Sequence, residues 1–495
     1  MRERLTMPPS EIYYKYLIQP YIDDDSRLSF YNQIQMNLTH AMMLAKQGII
    51  SDDTAKTLVK CLLEMNEEGP SSVQIWMDED DYYANLERNI INRVGKEIGG
   101  QLHTGRSRND LGSTLARMNV RDNLVQIIPL LLDLQSTLLD FSERYADQVM
   151  TGYTHMQPAQ PITLGYYFSA IAEALERDVQ RLLNAYDRMN YCTLGSGASF
   201  GTSFALDRHI TAKELGFYGP VRNTMDAVVT RDYLLEIMAD FSILASTLSR
   251  MATDMYQWTM DEFSYMEVSD AMAASSSIMP QKKNPAALEY IRAKSAHLAA
   301  GYMDIFMTLK GTAFIHNRES AGETLHYYWD AATQLEAILH LMKDTLLSSK
   351  FKPQNMERVN QNFCTVTELA DALVKEEGLP FRSAHGIVGK CVQATYNNGL
   401  KCTDITKEVM EKASFEEIGR VISWDTARIQ QVLSAKRSVE GKDHCYGAPS
   451  PSETRRMTAE MREHLDEAEK SYVSRMDALE TQKRALFDKA KQYCE

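Results

Sequence analysis

Apolar residues recur at steps of three and four through most of the chain. Across Leu234, Ile237, Met238, Phe241, Leu244, Leu248 and Met251 they make a stripe rather than an all-round surface, the pattern of a helix that buries one face. The same spacing predicts helices over 124–145, 163–188, 231–260 and 286–309 as the longest elements. Strand-type alternation is scarce, and 24 Gly and 14 Pro are few for 495 residues, so the fold class expected is all-α. A stripe must pack against another helix. Helices of this length predict a bundle, and stripes in excess of what one chain can cover predict helices packed between subunits. The 27 Met residues are expected to fill the seams, because a flexible thioether adapts to irregular gaps.

Breakers mark boundaries at Gly100 to Thr104 and at Lys350 to Pro353, which divide the chain into 1–103, a central 104–350 and 351–495. The last section has shorter helical patterns, interrupted at Gly378-Leu379-Pro380 and at Gly447-Ala448-Pro449-Ser450-Pro451, both turn-forming combinations. A highly charged helix from Ser452 to about Tyr493 closes it. No tandem repeat is evident.

Charge narrows the function. Lys and Arg total 53 against 67 Asp and Glu, a net −14, which argues against nucleic acid or an anionic membrane as the main partner. An anionic small molecule would need a local basic pocket. The seven cysteines lie without Cys-x-x-Cys spacing, so free thiols in a reducing compartment are expected and no zinc or other metal site is indicated. Met1 to Pro9 is charged and short, unlike a signal peptide. The longest apolar run, 127–132, ends at Asp133, far short of the roughly 20 residues that span a bilayer. A cytoplasmic protein is expected.

One segment concentrates the chemistry. Ser275-Ser276-Ser277-Ile278-Met279-Pro280-Gln281-Lys282-Lys283-Asn284-Pro285 places hydroxyls, turn residues, a cation and an amide ahead of a helical pattern. It reads as an anion-binding loop containing a nucleophile or base; on composition alone a Ser-rich surface loop is the competing reading. The segment resembles the Gly-Ser-Ser-x-Met-Pro-x-Lys-x-Asn signature of the aspartase/fumarase superfamily. His103-Thr104-Gly105-Arg106-Ser107-Arg108-Asn109-Asp110 and Gly152-Tyr153-Thr154-His155-Met156-Gln157 resemble, in the same order, two blocks of the argininosuccinate lyase family. The likeness continues through 194–198, 201–204, 223–228 and 379–389, and so covers nearly the whole chain.

The resemblance implies a three-domain helical fold, a homotetramer built on a shared central bundle, no cofactor, and elimination of fumarate from an N-substituted aspartate. Such an elimination needs a base at carbon, a proton for the departing amine, and donors for the doubly charged aci-carboxylate. Ser276 matches the superfamily's catalytic serine. Its activation is expected from backbone N–H groups and Lys282. Thr154 and His155 match a substrate-binding hydroxyl and a proton donor or its orienter, and Glu289 the acid that fixes the histidine tautomer. Arg108, Asn109 and Asn284 are donors suited to carboxylates; Ser10, Asp81, Ser277, Met279 and Arg231 match further positions at the substrate, with a buried ion pair the alternative for Arg231. The 270–285 segment is expected to open and close. The segments near 104–110, 154–160 and 275–284 are expected on separate long helices, too far apart to meet within one chain.

The match also departs from the family. Where argininosuccinate lyases usually carry Tyr, Gln and Lys at the amino-acid end of the arginine portion, this chain has His316, Ala321 and Thr324. Pro158 replaces a basic residue, and Tyr14 stands four residues after Ser10 where an acid is usual. A different amine is therefore expected, as in relatives of ethylenediamine-disuccinate lyase; a catalytically dead, crystallin-like protein is a third reading, disfavoured by retention of Ser276, Lys282, Asn284, Thr154 and His155 together.

Overall fold

The computed structural model describes residues 7–495, so most of the leader question posed by Met1 to Pro9 lies outside the described residues. The chain is predominantly helical, as its periodicity predicts, with three small two-stranded sheets. The elements that matter here are α1 (Gln19–Leu28), α2 (Phe30–Lys46), α3 (Asp52–Glu68), α4 (Tyr82–Val94), α5 (Arg108–Arg144), the hairpin β1 (Val149–Thr154) and β2 (Gln157–Thr163), and α6 (Leu164–Met189). Then come α7 (Asp232–Trp258), the short pair β3 (Ala274–Ser275) and β4 (Lys283–Asn284), α8 (Ala286–Lys310), α9 (Thr324–Ser348) and, after several shorter helices, α10 (Pro451–Cys494).

Five long helices, α5 to α9, pack on one another around an apolar core that includes Leu131, Phe168, Phe241, Leu298 and Leu335, each fully buried. A second cluster joins α2, α3 and α4 to the loops near Cys192 and Phe217, and a third lies within 366–433. Helix α10 leaves the third region, runs along α5 and α6, and buries Leu486 and Ala490 in the N-terminal cluster. It therefore straps the chain's last residues to its first helices. All seven cysteines are free thiols, five of them buried.

The longest helix departs from its sequence pattern in an instructive way. Helicity begins at Arg108, sixteen residues before the expected 124, because Ser107 and Asp110 form a reciprocal capping box. That pairing satisfies two otherwise unpaired N–H groups at the helix start. The first half hides from a hydrophobicity reading because its inward face is mixed: Asp110, Ser113, Thr114, Arg117, Asn119 and Arg121 are buried alongside Leu111, Leu115, Met118 and Val120. Pro129 sits inside the helix without ending it. This helix is long and apolar enough to cross a membrane by length and composition, yet most of its apolar window is buried inside the chain.

The expectation that 154–160 and 275–284 lie on long helices is corrected: the first is a hairpin and the second a loop pinned by β3 and β4. Pro158 and Pro161 interrupt the alternation that would have marked the hairpin. A register shift at Gly152/Tyr153 bends it, and a Cβ at Gly152 would stand 2.7 Å from the Gln160 carbonyl oxygen.

Helix α8 shows two apolar faces. Leu288, Ile291, Leu298 and Ile305 point into the bundle, while Tyr290, Met303, Phe306 and Met307 are exposed on the other side. A helix apolar all round is ordinarily covered all round.

Candidate active site

The starts of α5 and α7 frame a cavity of about 370 Å³. Arg108 and Asn109 enter it from the first turn of α5, where capping by Ser107 sets their direction. Arg108 Nη1 donates to Asp81 Oδ2 at 2.9 Å, and Asp81 itself caps α4 through Ala84 N at 2.7 Å. Asn109 Nδ2 donates to the Ala198 carbonyl at 3.0 Å. One edge of the guanidinium is thus held by a carboxylate fixed at a helix start, which orients the remaining donors.

Arg231 also lines the cavity but is not in an ion pair. It is 3% exposed and donates to the Val228 and Thr230 carbonyls and to Ser113 Oγ, leaving Nε without a partner. Burial pulls its pKa below the usual arginine value. His316 faces the same space with an orphaned, buried Nδ1; burial and then the Arg231 and Arg318 charges lower its pKa, favouring the neutral ring. Ala321 lines the cavity within a π-helical turn, Glu319–Glu323, a feature that often accompanies function. Thr324 does not face it: the side chain is fully buried and its hydroxyl donates to the Ser320 carbonyl. The position usually occupied by lysine has been absorbed into the helix.

Asp110 supports this wall from behind. Its Oδ1 accepts from Ser107 N, and its Oδ2 accepts from Gly195 N and Gly197 N at 2.8 and 3.0 Å. Burial pushes the carboxyl up to about 6 even so. Asp110→Ala leaves three backbone donors without an acceptor, at about 1–3 kcal/mol each if they stay buried. The thermal unfolding midpoint should drop markedly, with Asp110→Asn intermediate because one acceptor survives.

The remaining candidates lie elsewhere. Thr154 and His155 are exposed at the tip of the β1–β2 hairpin, where His155 and Met156 have φ of 52° and 60°. Two successive left-handed residues are normally Asn-Gly. With side chains this large the turn costs of order 1–3 kcal/mol per residue, a strain characteristic of working sites. The loop presents Ser276 half-buried, with its Oγ accepting from Met279 N at 3.0 Å and Ile278 N at 3.4 Å. Met279, Ser277 and Lys282 are exposed around it, and Asn284 pairs in β4 with Ala274. Lys283, not Lys282, is neutralised, by Asp270 at 2.7 Å and Glu267 at 3.3 Å. Among the described residues Lys282 has no ion-pair partner.

Within the single chain, two groups stand apart from their expected partners. Glu289 accepts from Tyr256 Oη at 3.1 Å rather than from His155. Ser10 is exposed and caps a short N-terminal helical turn through Tyr13 N, away from the cavity. The acids that reach the cavity from this part of the chain are Asp24 and Asp25. Sequence reading passed over them because Asp23-Asp24-Asp25 looks like a solvated charge run.

The three groups are also far apart. Arg231 directly precedes α7 and the Ser276 loop follows its other end; 27 residues of helix separate them by about 40 Å. The hairpin follows the far end of the 37-residue α5, and its Tyr153 ring packs on Phe263 at 5.9 Å. Within one chain, the donor-lined cavity occupies one end of the bundle, and the hairpin and serine loop the other.

The bundle carries its donors at one end and its serine-bearing loop at the other, and the relatives of the chain are lyases. The family profile described as Lyase matches residues 21–299, and the one described as argininosuccinate lyase C-terminal matches 363–440. Argininosuccinate lyase 1 of Shouchella clausii is 38% identical over 463 residues, 93% of each chain. Argininosuccinate lyase of Aquifex aeolicus is 35% identical over 436 residues, covering 88% of this chain and 92% of that one. The solved structure of EDDS lyase in complex with formate superposes with a TM-score of 0.87 at 27% identity, covering 99% and 97% of the two chains. The chain belongs to the argininosuccinate lyase family and is a carbon–nitrogen lyase.

Proposed function

We propose that the protein eliminates fumarate from an N-substituted aspartate in a site assembled from several subunits of a homotetramer, and that its amine differs from arginine. The observation that carries the chemistry is the Ser276 hydroxyl, which already accepts two backbone N–H groups. Those donors favour the alkoxide over the hydroxyl. The alkoxide takes the proton from Cβ, and the electron pair moves to the aci-carboxylate. Its charge is met by Lys282 and Asn284 from the loop and by Arg108 and Asn109 from another chain. Collapse of that intermediate forms the C=C bond and breaks C–N, while His155, with Thr154 beside it, supplies the proton to the leaving nitrogen. Fumarate and a neutral amine result, so atoms and charge balance.

The distance of about 40 Å along α7 supports a site shared with partner subunits, and the outward apolar face of α8 is where they would pack. Asp81 holds Arg108, and Arg231 shapes the cavity floor. Ser277 and Met279 contribute to the closing loop. The same reading keeps Glu289 as a candidate partner for His155 of another subunit, and the cytoplasm as the compartment.

At the amine end, His316 and Ala321 line the cavity without the hydroxyl and amide donors usual in the family, and Thr324 is turned away. Losing two or three hydrogen bonds at roughly 1–3 kcal/mol each amounts to a penalty of about thirtyfold or more. kcat/KM for argininosuccinate should accordingly lie at least about thirtyfold below that of its Shouchella clausii relative, while fumarate absorbance with a panel of amines identifies a better partner. Parity with that relative on argininosuccinate would refute the altered amine specificity.

A further inference from the structure

Resting on the reading of this cavity as the amine end of the site, we infer that Gln33, together with Asp25, determines specificity by binding a second, positively charged nitrogen at the far end of the amine. Gln33 lines the cavity and is 1% exposed, yet among the described residues neither its amide nitrogen nor its amide oxygen has a hydrogen-bond partner. Buried side-chain amides are nearly always paired, so an amide orphaned at both atoms and bordering an open cavity is poised for a guest.

Its surroundings say which guest. Asp25, Ser29 and Gln33 stand at four-residue steps, and all three line the cavity on one wall, as side chains one helical turn apart do. Ser29 Oγ donates to Asp25 Oδ1 at 2.8 Å and accepts from Asn119 Nδ2 at 2.7 Å. That relay fixes the carboxylate and leaves its second oxygen for a ligand. Asp24 lines the same wall, and Tyr21 Oη, beside it, is committed to Glu323 Oε1 at 2.6 Å. Of the cations that line the cavity, Arg108 is engaged by Asp81, and Arg318 lies within electrostatic reach of Tyr21. Burial, and then the charges of Asp81 and Asp24, push the Asp25 carboxyl up to about 7, as expected of a buried acid beside two others. An ammonium fits this wall: its three donors meet the Gln33 Oε1 and the free Asp25 oxygen. A carboxylate in the same place would face Asp24 and Asp25.

Calorimetric binding to the intact oligomer, with succinate as an unreactive dicarboxylate in the other half of the site, tests this without turnover. Wild type should bind 1,4-diaminobutane roughly tenfold or more tighter than n-butylamine. Gln33→Met, which keeps the length and volume of the side chain, should erase that preference, and Gln33→Glu should enlarge it. Equal binding of the two amines by wild type, or an unchanged preference in either variant, overturns the inference. Should Gln33→Met fail to assemble, the Gln33→Glu result decides alone. Turnover of the same amines with fumarate is measured separately. A diamine that binds with the expected preference but never adds to fumarate would count against the reaction, not against the role of Gln33.

Discussion

Replacing Ser276 with alanine is expected to lower kcat by at least about a thousandfold while leaving assembly and KM nearly unchanged, the pattern of a group needed only in the transition state. The hydroxyl sits in a loop rather than a core, half-buried and bonded only to the backbone N–H groups of Ile278 and Met279. Its removal opens no cavity of consequence, and water can reach the two freed donors in this exposed segment. A folding defect would therefore be a poor account of lost activity. The neighbouring Ser277, exposed and outside that pair of hydrogen bonds, serves as the internal control: Ser277→Ala should lose far less. Steady-state kinetics of both variants decides the point. If Ser276→Ala retained activity within about tenfold of wild type, a range that general-base loss does not produce, some other group would have to be the base.

The helices were legible wherever an apolar stripe met an apolar neighbour. The expected 163–188, 231–260 and 286–309 are observed at Leu164–Met189, Asp232–Trp258 and Ala286–Lys310, each boundary within two residues. The pattern fails where the inner face is mixed. Residues 108–123 are helical but bury Asp110, Arg117 and Arg121 among Leu111, Leu115 and Met118, and polar residues interleaved with the apolar ones blur the stripe that a hydrophobicity argument follows.

The same division runs through the site. Ser276, Thr154, His155 and Arg108 were nameable because whole motifs surround them. Asp25 and Gln33 were not, because nothing in Asp23-Asp24-Asp25 or in a single glutamine signals that the fold will bury one amide and aim one carboxylate into a cavity. Nor does sequence say that Lys283 rather than Lys282 is tied up in ion pairs, which leaves Lys282 available to a ligand.

If the proposed tetramer forms, two inactive variants should restore activity to one another when they share it. Arg108 stands at the cavity end of α5, while Ser276 follows the far end of the 27-residue α7, so a single chain cannot bring them to one substrate. Arg108→Ala and Ser276→Ala homotetramers should each be inactive, the first through loss of a carboxylate donor and the second through loss of the base. In mixed tetramers formed from equal amounts, a site is intact when the chain supplying residue 108 and the chain supplying residue 276 both carry the wild-type residue there. With random assembly each condition is met half the time, so about a quarter of the sites should work, each at the full wild-type rate. The recovered activity should appear in kcat per site at unchanged KM. A second mixture, of Arg108→Ala with Asn109→Ala, provides the contrast: both residues lie on one turn of one helix and serve the site from the same chain. No intact site can form from that pair at any ratio. Recovery in the first mixture and none in the second places the two halves of the chemistry on different subunits; failure of the first, in tetramers verified as mixed by native mass spectrometry, would mean that each chain completes its own site by a rearrangement far larger than loop closure.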